Sequence, residues 1–385
     1  MAGPGKYVRY VENIDGSVEH FDVGGEYHYD NDCSMPAHIS AEGHDFYYYH
    51  GKLHRNNHPA VITSTGYQWY CHDKLHNLDG PASIELSEDG EIVTCIWYTH
   101  NRIHRHIPVG ENAKPAYMEF YVDDLINYTS TNPESSILIN IVNHIYDIEE
   151  DLNIPIVEKY YVHDTIHRDG GPAIIYSNGT KIWMQDGKRH REVGPAVTKK
   201  NGSVAYYENN LLHREDGPAV INEFGIEVWY FEGNLHNENG PSYTDNHGNK
   251  EWFIHGYCED RGSQPNVSWK TGQKQWRKTF DIYDDEEGSD VEGEVSTDHP
   301  DRIHVIHREN GPAIIYEDGS VEYKRNGKTH RDDGPAIMDV NAGNQWYLDG
   351  KKVNSLDIRI LEGENNRHQK RRKTDVMYAV LGSSF

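Results

Sequence analysis

The sequence predicts an all-β protein: an elongated antiparallel β-meander built of ~23-residue hairpin repeats, with one helical insertion. Three observations carry that prediction. First, a His-Arg-x-x-Gly-Pro-Ala signature recurs at a fixed step: His167, His190, His213 and His236 lie 23 residues apart, His307 and His330 repeat the step, and His54 to His76 is 22. Second, each of these histidines is followed five residues later by a proline, and twelve to fourteen residues later by a glycine (Gly66, Gly90, Gly179, Gly202, Gly225, Gly248, Gly319, Gly343). Third, an aromatic residue tends to stand four positions past that glycine, as in Trp183, Trp229, Trp252 and Tyr323.

The unit from His190 to Leu212 shows how each element is justified. His190-Arg191-Glu192-Val193-Gly194 is a polar loop. Pro195 to Lys200 is a strand, with proline at the first residue, where no ladder N–H is required. Asn201-Gly202 reads as a two-residue hairpin turn, because both residues accept positive φ cheaply. Ser203 to Glu208 is the returning strand, alternating Val204 and Tyr206 with Ala205 and Tyr207. Asn209-Asn210 turns the chain toward Leu211-Leu212-His213. The second glycine of a unit, as in Gly187, Gly233, Gly327 and Gly350, marks a tight turn into the next loop. Each unit is thus expected to be one hairpin, paired edge to edge with the next.

Divergent units flank the clear ones. Gly25 to His28 with Pro36-Ala37, and Asn101 to Arg105 with Pro115-Ala116, are degenerate copies, and Gly350-Lys351-Lys352-Val353 opens a last unit in which valine replaces the histidine. The signature lapses twice. From Tyr117 to Tyr160 it gives way to an expected helix near 133–152, opened by Asn132-Pro133-Glu134 as N-cap, first-turn proline and acidic first turn. From Tyr257 to Ile306 it gives way to an irregular stretch ending in an acidic run (Asp284, Asp285, Glu286, Glu287, Asp290) that reads as a solvated loop. The expected organisation is an N-terminal repeat block (1–116), a helical insertion (117–160), a central block (161–256), an irregular insertion (257–306), C-terminal repeats (307–360) and a basic tail (361–385).

Composition narrows the function classes. Hydrophobic residues make up only 36%, and 27 Tyr and 8 Trp dominate the aromatics, which suits a thin, half-wet sheet. A net charge of −25 argues against nucleic-acid and anionic-membrane binding, both of which draw affinity from Lys and Arg. Four scattered cysteines without a C-x-x-C fit a reducing compartment and exclude a cysteine-built zinc site. The N-terminal segment lacks a signal-peptide core, so secretion is not expected. Nucleophile-elbow, phosphate-loop, zincin and dinucleotide motifs are absent.

The unit resembles the MORN repeat. Gly187-Lys188-Arg189-His190 and Gly327-Lys328-Thr329-His330 match that family's G-K-x-H segment. After the histidine the chain departs from the family, reading His213-Arg214-Glu215-Asp216-Gly217-Pro218-Ala219 where the family has His-Gly-x-Gly. This is similar to the HREDGPA-type variant associated with large DNA viruses, phages and bacteria. The resemblance implies an elongated hairpin sheet and a scaffold role, with a cytoplasmic or virion location.

The candidate residues follow from the repeat. His54, His76, His167, His190, His213, His236, His307 and His330 read as structural repeat positions: equivalent imidazoles should lie roughly 10 Å apart, too far to share a metal whose bonds are about 2 Å. Each is expected to hold a turn through its ring N–H, with the following arginine pairing to a neighbouring unit's carboxylate. Local clusters such as His50, His54 and His58, or His100, His104 and His106, are where an adventitious metal would be sought. Arg168, Arg191, Arg214, Arg308 and Arg331 form a charge ladder that is either a solvated face or a protein-binding strip. The run Lys370-Arg371-Arg372-Lys373 is a common kind of short basic tail, with a nuclear-import signal or a nucleic-acid contact as the alternative. The expected function is a non-enzymatic scaffold with a protein partner and no cofactor. A glycan-binding protein or carbohydrate-active enzyme using the aromatic face is one alternative. A peripheral lipid binder is the other.

Overall fold

The computed structural model describes residues 9–28, 34–105, 113–129, 155–258, 264–281, 294–295 and 302–354. The expected helix near 133–152, the acidic run and the basic tail lie outside these residues. The chain divides into two compact units, residues 1–211 and 212–385.

Both units are antiparallel β-meanders in which each strand pairs with the next sheet strand along the chain. In the first unit the run includes Ile174–Tyr176, Lys181–Ile182, Val197–Thr198 and Val204–Ala205, with Ile182 facing Val197 and Thr198 facing Val204. In the second it includes Val220–Ile221, Glu227–Val228, Tyr243–Thr244 and Lys250–Glu251. Among the described residues, no helix is long and apolar enough to cross a membrane.

Each repeat holds two hairpins rather than the one expected. The returning strand breaks at its aromatic residue, and the chain leaves the meander to make a second, two-residue-per-arm hairpin. Met184–Gln185 with Lys188–Arg189, Tyr230–Phe231 with Asn234–Leu235, and Lys324–Arg325 with Lys328–Thr329 are examples. The break has a hydrogen-bond cause. The Trp183 N–H donates to Ala196 in the next strand, while its carbonyl accepts from the His190 N–H in its own second hairpin, so the residue serves two sheets at once.

The two hairpins use different turns, which corrects the assignment of Asn201-Gly202. Gly202 N–H donates to Lys199 and Lys199 N–H to Ser203, a three-residue loop whose last residue alone has positive φ (Gly202, 88°). Asn201 contributes through its side chain, accepting from the Ser203 N–H at 3.1 Å. The two-residue turn sits in the second hairpin. Asp186 (φ 48°) and Gly187 (φ 76°) are both left-handed, the requirement of a type I′ turn. The same pair of positive φ values recurs at His72-Asp73, His100-Asn101, Asn209-Asn210, Glu232-Gly233, Asn326-Gly327 and Asp349-Gly350.

The core is a narrow ladder set by the Gly-Pro-Ala signature. Ala37, Ala60, Ala82, Ala116, Ala173, Ala196, Ala219, Ala313 and Ala336 are all fully buried, and Ser242 takes the same place at Asn239-Gly240-Pro241-Ser242. These small side chains lie at the position whose carbonyl accepts the aromatic residue's N–H, as Ala196 accepts from Trp183. The largest apolar cluster combines Ile84, Val93, Cys95, Trp97, Met118, Phe120 and Leu125, where the strands lengthen to Ile92–Ile96 and Tyr117–Tyr121. Leu125 comes from the short helix Val122–Thr129, earlier in the chain than the expected one.

Both lapses in the signature begin and end on paired strands. Tyr117–Tyr121 pairs with Val157–Lys159, so the first insertion leaves through a hairpin turn of the meander. Within the second lapse, Val267–Ser268 and Lys274–Gln275 form an ordinary meander hairpin, with Asn266 in the alanine position. Arg277–Asp281 then pairs with Arg302–Ile306 as an enlarged second hairpin.

Candidate functional site

The repeat histidines are built into the junction between one second hairpin and the next. Nδ1 of His167, His190, His213, His236, His307 and His330 accepts the backbone N–H of the first residue in the following type I′ turn, at 3.0 to 3.4 Å. The ring therefore holds a turn as an acceptor, the reverse of the expected N–H donation. Nε2 faces Asp169 at 3.1 Å in His167 and Asp332 at 2.9 Å in His330, and Nδ1 of the same rings also lies 3.2 Å from the Asp186 and 2.8 Å from the Asp349 carboxylate. Although equivalent histidines belong to different repeats, each ring meets the type I′ turn residue that follows it in the chain. Where that residue is itself histidine, the rings meet face to face or tilted: His76 stacks on His100 at 4.3 Å, and His54 and His72 at 4.3 Å and His236 and His255 at 4.2 Å are tilted by 34° and 32°.

The arginines turn inward. Cζ lies over the aromatic ring of the same repeat at 3.8 Å for Arg168 on Tyr160, 3.9 Å for Arg191 on Trp183, 3.9 Å for Arg308 on Trp276 and 4.0 Å for Arg331 on Tyr323. Nη1 of Arg168, Arg191, Arg214, Arg308 and Arg331 donates to the proline carbonyl four residues on, at 3.1 to 3.3 Å. Where asparagine replaces arginine, Asn77 and Asn237 make the same bond to Pro81 and Pro241. Ion pairs form within the loop, as in Arg214 Nε to Asp216 at 2.7 Å and Arg331 Nε to Asp333 at 2.7 Å.

At two signature positions the stapled arginine lies close against the glycine, whereas Arg55 makes the same contacts beside His58, and Gly194 and Gly311 have positive φ. A Cβ on Gly334 would stand 3.0 Å from Arg331 Cζ, and on Gly217 2.8 Å from Arg214 Cζ. Neither glycine has a left-handed φ, so these residues are small to leave room for the guanidinium rather than to bend the chain.

With histidine and arginine turned in, the loop presents carboxylates. Glu215, Asp216 and Glu309 are 80%, 84% and 79% exposed. Burial pushes the Cys258 thiol up to about 12, and burial together with Glu158 raises the Tyr160 hydroxyl. Burial lowers His54 and His76 below the ordinary imidazole value, and each is lowered further by its ring partner, His72 and His100.

The described residues bring together one grouping that the sequence reading did not, the side chains of His54, Cys71 and His72. Of the histidine clusters expected from sequence, His58 is not part of it and His106 lies outside the described residues. The signal available beforehand was positional: His72, His100 and His255 stand at the turn that the repeat histidine reaches. Compared with known proteins, the sequence matches no family model and no curated protein.

Proposed function

We propose that this chain is a non-enzymatic, MORN-like repeat scaffold that binds a protein partner through the carboxylates of its repeated loops. The observation that carries the reading is the division of labour within the signature. Histidine and arginine, the residues that could do chemistry or bind anions, are spent on turns, rings and proline carbonyls. The acidic residues after them face solvent at equivalent positions of successive repeats. Such a row offers a partner many similar weak contacts, with affinity summed over several units. The net charge of −25 favours a basic protein surface as the complement. The aromatic rings under the arginines have a covered face, which leaves little for a sugar to stack on at those positions.

The test is capture of basic protein partners by the full chain, with crosslinking to locate contacts. Replacing Glu192, Glu215 and Glu309 with glutamine should weaken capture and flatten its salt dependence. Unchanged capture, or crosslinks confined to other surfaces, refutes the assignment of the loops.

A further inference from the structure

We propose that His54, Cys71 and His72 form a binding site for one zinc-class divalent cation. Their candidate ligand atoms all lie within 4.8 Å of one another, and Cys71 Sγ is 3.5 Å from His72 Nδ1. Zinc bonds of about 2.0–2.3 Å put tetrahedral ligands roughly 3.3–3.8 Å apart, so one edge of the site is already at length. The other edges, within 4.8 Å, need side-chain adjustment of about 1 Å, which His72, exposed on its turn, and the partly exposed Cys71 can supply.

The repeat supplies internal comparisons that single this junction out. In six repeats the histidine Nδ1 lone pair is occupied by the N–H of the next turn. At His54 that atom is buried with no hydrogen-bond partner. Its other nitrogen faces Asn56 Oδ1 at 3.1 Å, a bond that places the proton on Nε2 and aims a free lone pair from Nδ1. This is the outer-sphere arrangement that orients metal-binding imidazoles. His76 also has a buried Nδ1 without a partner and a stacked turn histidine, His100, but Thr99 precedes that turn where Cys71 precedes His72. Thus, among the described residues, only the His54 junction adds a thiol to the two rings. One thiolate with two imidazoles suits zinc or cobalt better than calcium or magnesium, which prefer oxygen. The remaining position is filled by water. Binding converts the Cys71 thiol to thiolate, and its proton leaves to solvent.

The test is titration of the reduced full chain with Co²⁺ alone, followed by competition with Zn²⁺. One equivalent should produce a thiolate-to-cobalt charge-transfer band that zinc removes. Cys71→Ser should abolish the band, and His72→Asn, which tolerates the left-handed turn position, should weaken binding at least tenfold while the circular dichroism stays the same. His100→Asn should leave the titration unchanged. Cobalt binding without the band, or binding that survives Cys71→Ser or His72→Asn undiminished, overturns the site.

Discussion

Replacing Gly334 with alanine tests whether the signature glycine exists to make room for the guanidinium. The added methyl would sit 3.0 Å from Arg331 Cζ, with Nε at 3.2 Å and Nη1 at 3.3 Å, so the arginine must move. A shift of a few tenths of an ångström strains the Nη1 bond to the Pro335 carbonyl and the stack on Tyr323. A hydrogen bond to a charged group contributes about 1.5–3 kcal/mol and an exposed-to-partly-buried cation–π contact about 0.5–1 kcal/mol. Because these contacts are strained rather than lost, the expected loss is at most about 2 kcal/mol. The exposed Asp333 pair adds almost nothing. The repeat contains its own control. A Cβ on Gly80 meets Asn77 Nδ2 at 3.4 Å, an ordinary contact, so Gly80→Ala should cost far less. Arg331→Asn should in turn make Gly334→Ala tolerable, giving a coupling of about 1–2 kcal/mol in a double-mutant cycle. Because repeat arrays open unit by unit, the readout is hydrogen exchange over residues 323–336, with urea unfolding as a check. Equal losses for Gly80→Ala and Gly334→Ala, or additive effects in the cycle, would refute the steric argument.

Two other predictions follow from the junctions. His330→Ala removes the acceptor of the Asp349 N–H and should cost about 1–3 kcal/mol, seen as faster exchange at Asp349 and Gly350 with little change in residues 9–28; uniform loosening of the whole chain would contradict a local role. Burial and the stacked His100 hold His76 below its unfolded value of 6.5, so its contribution is fully present above pH 6.5 and is lost as pH falls through the lower folded pKa. Replacing His76 with glutamine should flatten the acid limb of a stability-versus-pH curve, and an unaltered limb would show that this ring does not set it.

The period and the turn glycines were legible because each reports a local constraint. Gly202 must take a positive φ, whereas the strand expected from Pro195 to Lys200 is Val197–Thr198, with Pro195 two residues before it. The second hairpin was not legible from its own composition. Ser203 to Glu208 alternates like one strand, and only the competing hydrogen bonds at the aromatic position divide it. The inward turn of Arg191 was hidden for a related reason: a charged side chain beside Glu192 looks solvated until the ring beneath it is placed. Sequence spacing measured the distance between equivalent histidines but gave no sign of contacts between inequivalent ones, and that is how His54 and His72 come together.

The insertions enter through hairpin tips whose arms remain zipped, Tyr117 against Lys159 and Arg277 against Ile306. Lengthening such a tip costs only about 0.6 kcal/mol per doubling, and the registers on either side need not change. The architecture therefore behaves as a backplane with open slots, able to acquire foreign segments at its turns while neighbouring modules keep their alignment. Evolution or an engineer can load new cargo at those tips without redesigning the frame.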